Sequence, residues 1–150
     1  MIRSPKRIIR KKGGNKMNCL YLIATGAARN PASEEPIWQA LRAEGMVVRD
    51  IHELPRIAQH DVAITDAAVA RLVKKRLQEA EKPLMLICLV ASKEVLAERL
   101  AGFPPDYAER MSREIMELAL DEADCCVPSD EPEVAARLLA EIILARESES

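Results

Sequence analysis

The sequence predicts an α/β fold, a three-layer sandwich around a mostly parallel five-stranded sheet. From Asn18 onward, short apolar runs alternate with longer amphipathic ones, the sequence pattern of successive β/α units. The central apolar runs lack polar alternation, as strands covered on both faces do. Each run is followed by a connection long enough for a crossover helix, so neighbouring strands are expected to be parallel. A chain of 150 residues makes one ordinary domain, burying about 70% of its unfolded surface without disulfides or metal.

NCLYLIAT (18–25) reads as a buried strand, followed by a helix from about Ser33 to Glu44 that stops at Gly45. Here Ser33 is the expected N-cap, and Glu34 and Glu35 in the first turn complement the helix dipole. MVVRDI (46–51) gives a second strand, HELPRIAQ (52–59) a short turn or helix, and DVAIT (61–65) a third strand. Residues 67–81 form a helix with Val69, Leu72, Val73 and Leu77 on one side, and PLMLICLV (83–90) is the strongest strand signal. SKEVLAERLA (92–101) opens with Ser92 as N-cap and is stopped by GFPPDY. A helix over 107–122, the strand DCCV (124–127) and a closing helix over 132–146 complete five units. The domain spans 17–146, between a basic disordered tail at 1–16 and a short disordered tail at 147–150. Ligands of such sheets sit beyond the carboxyl ends of the strands, so chemistry is sought in the loops after 25, 51, 65, 91 and 127.

Composition excludes several classes. No apolar run approaches the ~18 residues of a membrane span. With one Phe, one Trp and two Tyr the chain has almost no material for stacking bases, so nucleic acid is not expected as a partner. Residues 1–16 carry seven of the 22 Lys and Arg and no acid, leaving 15 bases against 24 acids, or −9, on the body. That segment has no apolar core of a secretory signal and no amphipathic period, and reads as a solvated tail rather than a binding arm. Cys19, Cys88, Cys125 and Cys126 lie in apolar stretches, where cysteine acts as a small hydrophobe in a reducing cytoplasm. Cys125 and Cys126 would face opposite sides of a strand, and His52 and His60 lie in separate segments, so no metal site is expected.

After the first strand, GAARNPAS (26–33) has the spacing of the phosphate-cradling GxxxxGK[ST] loop but keeps only its first Gly and its last Ser. Pro31 stands at the second Gly and has no N–H to offer a phosphate, while Ala32 removes the lysine charge. Two readings stay open: an ordinary helix start, or a residual cofactor-binding loop using Gly26, Arg29, Ser33 and backbone amides.

Residues 61–143, and the phrase ASKEVLAERL above all, resemble the stretch of guanylate kinase and ribose 1,5-bisphosphate phosphokinase running from a core strand through the lid helix to the closing helix. The resemblance implies a P-loop kinase-like phosphotransferase acting on a nucleotide or phosphorylated small molecule, with ATP and Mg²⁺ as cofactors. Arg110 and Arg113 fall where lid arginines reach the phosphates of ATP, one turn apart on a helix. A surface role, pairing with Glu109, Glu114 or Glu117, stands beside it. The interval between the loop and residue 61 is too short for the nucleotide-acceptor domain of those kinases, and the loop lysine is missing. The implied protein is therefore a degenerate kinase that binds ATP weakly or not at all.

EGMVVRDI, HDVAITD and the segment from ALDEAD to the C-terminal helix also resemble a response-regulator receiver domain, more weakly. Asp66 would lie where the phosphoacceptor ends the third strand, although Ala24 and Thr25 replace the acidic pair and residues 127–129 offer no lysine. On that reading the chain is a pseudo-receiver that signals through a protein partner; Asp66 is equally well placed to cap the helix after it. Strand order separates the two: a receiver sheet runs 2-1-3-4-5, whereas a kinase sheet puts strand 3 between strands 1 and 2.

Overall fold

A computed structural model describes residues 19–51 and 61–148. The turn expected at 52–59, both histidines and the basic segment 1–16 lie outside the described residues. The elements are β1 (Leu20–Thr25), a 3₁₀ turn (Pro31–Glu34), α1 (Glu35–Ala43), β2 (Val48–Asp50), β3 (Val62–Thr65) and α2 (Ala67–Glu79). They continue with β4 (Leu84–Val90), α3 (Lys93–Arg99), α4 (Pro105–Asp121), β5 (Cys125–Pro128) and α5 (Pro132–Ser148). The closing helix thus continues through Ser148, into the segment expected to be a tail.

The five strands form one parallel sheet in the order β2-β3-β1-β4-β5. Strand β3 sits between β1 and β2, the order expected of a kinase sheet and not the 2-1-3-4-5 order of the receiver alternative. The pleat of β1 explains the layers. Leu20, Leu22 and Ala24 pack with Ala70 and Val73 of α2 and with Ile115 and Leu118 of α4. Tyr21 and Ile23 pack on the opposite face with Ile37, Trp38 and Leu41 of α1 and with Leu139 and Ile143 of α5. Every residue of β1 is buried, so each large aliphatic there contributes about 1.5–3 kcal/mol.

The ends of the helices follow local chemistry. Gly45, at φ 93°, closes α1: its N–H donates to the Arg42 carbonyl and that of Met46 to the Leu41 carbonyl. The same pair of bonds closes α2, from Glu81 to Gln78 and from Lys82 to Leu77, but there the left-handed residue is Glu81, at φ 58°. Ser92 caps α3 as expected, its Oγ accepting from Val95 N at 3.2 Å. Arg71 of α2 pairs with Glu122 and, at 3.5 Å, with Asp121, tying α2 to the end of α4 that leads into β5. Leu72, expected on the core side of α2, is half exposed, while Ala67 and Ala70 take up the buried stripe.

Candidate functional site at the carboxyl edge of the sheet

The loop after β1 stands at the carboxyl edge, where the fold places ligands, and its backbone is turned in on itself. Ala27 N donates to Thr25 Oγ1 at 3.2 Å, Asn30 N to the Ala27 carbonyl at 2.9 Å, and Ser33 N to the Asn30 carbonyl at 3.0 Å. A phosphate cradle points such amides at its ligand. Pro31 at the first position of the 3₁₀ turn explains the difference, since the chain enters a tight turn instead of starting an α-helix at the loop. Ser33 consequently is not the cap of α1: its Oγ donates to the Asn30 carbonyl at 2.7 Å, and the N-cap position falls to Glu34, without a side-chain cap bond.

Beneath the loop lies a buried polar cluster. The Glu34 carboxylate, 1% exposed, accepts from Thr25 Oγ1 at 2.8–2.9 Å and from Arg99 Nη1 at 3.1 Å. Arg99, 7% exposed at the end of α3, also donates through Nη1 to Ser129 Oγ at 3.0 Å and through Nη2 to the Ser129 carbonyl. Asn30 Nδ2 donates to the Arg99 carbonyl at 2.8 Å, tying the loop to α3. One ion pair thus links the end of β1, the 3₁₀ turn, α3 and the residue after β5. Burial pushes the Glu34 carboxyl above its ordinary range, while the Thr25 hydroxyl and the Arg99 guanidinium pull it back down.

Gly26 lies in close packing against α3. A Cβ there would come within 2.9 Å of Leu96 Cδ2 and 3.2 Å of its Cδ1. Leu96 belongs to a small apolar cluster with Ala27, Leu100 and Met111, flanked by Phe103 and Tyr107, that seats α3 and α4 on the loop. The remaining sequence-selected residues do not converge. Arg29 is exposed on the loop. Arg110 stacks over the Tyr107 ring at 5.3 Å and lies 4.0 Å from Glu114, and Arg113 is exposed on α4. Asp66 follows β3, whose Thr65 is paired with Ala24, so it shares the loop's edge of the sheet; its Oδ1 accepts from Val69 N at 2.8 Å and caps α2. Among the described residues, no cluster of three His, Cys, Asp or Glu side chains is placed to hold a metal ion. No described helix is long and apolar enough to cross a membrane.

Sequence reasoning missed Arg99, Ser129 and Thr25, and gave Glu34 only a role at the helix dipole. A signal was available for Arg99. It follows Leu96 by three residues and precedes Leu100, on the stripe where α3 should be apolar, so a charge there needs a buried partner.

No protein-family model and no curated protein matches the chain. Solved structures do. Shikimate kinase from Bacteroides thetaiotaomicron is similar over 85% of this chain and 98% of its own, at 13% identity and a TM-score of 0.56. Shikimate kinase from Acinetobacter baumannii, solved in complex with shikimate, gives 13% identity over 85% of this chain and 90% of its own, with a TM-score of 0.49. The first of these likenesses shows that this five-stranded parallel α/β fold is shared with that shikimate kinase.

Proposed function

We propose that this chain is a degenerate P-loop kinase, related through residues 61–143 to the guanylate kinase and ribose 1,5-bisphosphate phosphokinase type, with weak or no MgATP binding and no effective phosphoryl transfer. The observation that carries this reading is the Glu34 carboxylate, seated on Arg99 and Thr25 directly under the loop. A nucleotide phosphate brought to that loop meets a buried arginine already taken by Glu34, an inward-turned backbone, a proline without an N–H and no lysine. The residues present do not fit a triphosphate. Arg29, exposed on the loop, and Arg110 and Arg113, exposed on α4, give at most loose charge contacts, while Ser33 and Asp66 engage Asn30 and Val69 through their side chains and Gly26 packs against Leu96.

Calorimetric titration with ATP and Mg²⁺ tests this. Binding is expected to be no tighter than about 1 mM, or −4 kcal/mol. Any heat that does appear should vanish in the Arg110→Ala/Arg113→Ala variant. A micromolar dissociation constant in the unaltered chain would overturn the reading. The strand order gives the receiver alternative no support.

A further inference from the structure

We propose that the Glu34 side chain stands in for a bound oxyanion, and that the pocket of Thr25, Arg99 and Ser129 takes up inorganic phosphate when that side chain is removed. The inference rests on the degenerate-loop reading and deepens it, since it names what the site binds once its plug is gone. The pocket is distinct from a loop-amide cradle: its donors are a guanidinium at the end of α3 and a hydroxyl at the end of β1, held from below by Ser129.

Three features point to an oxyanion. First, the cation is built in. Arg99 is anchored through both terminal nitrogens to Ser129 and through its carbonyl to Asn30, so its position does not depend on Glu34 alone. Second, the Thr25 hydroxyl receives the Ala27 amide and so directs its own proton at the carboxylate, where an oxyanion would accept it equally well. Third, the geometry is of the charge-assisted kind that carboxylates and phosphates share. Truncation of Glu34 to alanine removes nearly as many heavy atoms as a phosphate ion contains. The emptied space is lined by a desolvated cation, for which an anion is a better neighbour than water. The Glu34 backbone, at φ −117° and ψ 15°, suits any residue, so the substitution adds no backbone strain.

The test compares thermal unfolding of the full chain in sodium phosphate and in sodium chloride at matched ionic strength. The unaltered chain should unfold at the same temperature in both salts. Glu34→Ala should be less stable in chloride and gain about 5 °C in phosphate, rising with the logarithm of phosphate concentration. Glu34→Ala/Arg99→Met, which removes both charges, should fold and show no preference for phosphate. If Glu34→Ala does not fold in chloride, folding recovered by phosphate supports the proposal, and no recovery while the double variant folds overturns it. Equal behaviour of folded Glu34→Ala in the two salts overturns it as well. So does a phosphate gain of the same size in the unaltered chain or the double variant, since the ion would then bind elsewhere. These arms use no nucleotide, so their failure is distinct from micromolar MgATP binding, which would overturn the degenerate-loop reading itself.

Discussion

Changing Arg99 to Met keeps an unbranched side chain but removes the guanidinium that serves both Glu34 and Ser129. The Glu34 carboxylate is then left 1% exposed with the Thr25 hydroxyl as its hydrogen-bond donor, and Ser129 loses both of its bonds from Arg99. Removing one partner of a buried ion pair costs about 3–5 kcal/mol, which in a domain of this size lowers the unfolding temperature by roughly 10–15 °C. The carboxylate can reduce that cost by taking up a proton. Burial already raises Glu34 above the ordinary 4.5, and Arg99 is one of the groups that pull it back, so its removal raises the carboxyl further. A raised folded pKa means that the native state holds a proton the unfolded chain releases, so stability is highest below 4.5 and falls as pH rises through the folded value. The Arg99→Met penalty should therefore be smallest at mildly acidic pH and largest above neutrality. Glu34→Gln/Arg99→Met, lacking the carboxylate, should recover most of the loss and show none of this pH dependence. Urea unfolding at a series of pH values reads the effect, with an unchanged slope confirming that midpoint shifts report stability. A penalty under about 1 kcal/mol near neutrality would refute the reasoning, because a buried pair cannot be opened from one side so cheaply. So would a penalty that the second substitution does not relieve.

Further substitutions test neighbouring parts of the argument. Glu81→Gly should stabilise the fold by about 0.5–1 kcal/mol in urea unfolding, because Glu81 holds φ 58° at the end of α2. Asp66→Ala should cost about 1 kcal/mol through loss of the cap on Val69 N while leaving any MgATP heat unchanged; a change in that heat would place Asp66 at the nucleotide instead. Pro31→Gly/Ala32→Lys restores the donor and the cation of the loop, yet should gain little MgATP affinity while Glu34 remains. Adding Glu34→Ala should then raise affinity at least tenfold, since a charge-assisted contact is worth about 1.5–3 kcal/mol. A gain of that size in the double variant alone, measured by calorimetry, would show that Glu34 is not the obstacle.

The fold was legible because its signals are local and repeated. Tyr21 and Ile23 face one layer while Leu20, Leu22 and Ala24 face the other, and a strand with two covered faces has to be apolar throughout. Ser92 and Gly45 marked helix ends through chemistry that acts within a few residues. Strand order was not legible in the same way. Parallel pairing of β1 with both β3 and β4 depends on which crossover packs against which face, and the apolar runs of β1 and β4 are interchangeable in composition. The start of α1 was misplaced for a specific reason. A serine followed by two glutamates satisfies the rule for an N-cap, but Pro31 two residues earlier commits the backbone to a 3₁₀ turn, and the hydroxyl of Ser33 then reaches back to Asn30.

The site was only half legible, because its deciding contact joins residues 65 positions apart. Read alone, Glu34 is an acid in a first turn and Arg99 a base in a last turn, each where the helix dipole favours it. Only the sheet brings them together, by placing the loop after β1 beside α3 and the residue after β5. On the degenerate-kinase reading proposed above, the absence of a loop lysine and the presence of an inward carboxylate belong to one physical account. Arg99, fixed by Ser129 in a desolvated position, requires a negative partner whether or not a ligand is present. A loop that holds an anion only from time to time leaves that cation alone in between, whereas Glu34 answers it permanently.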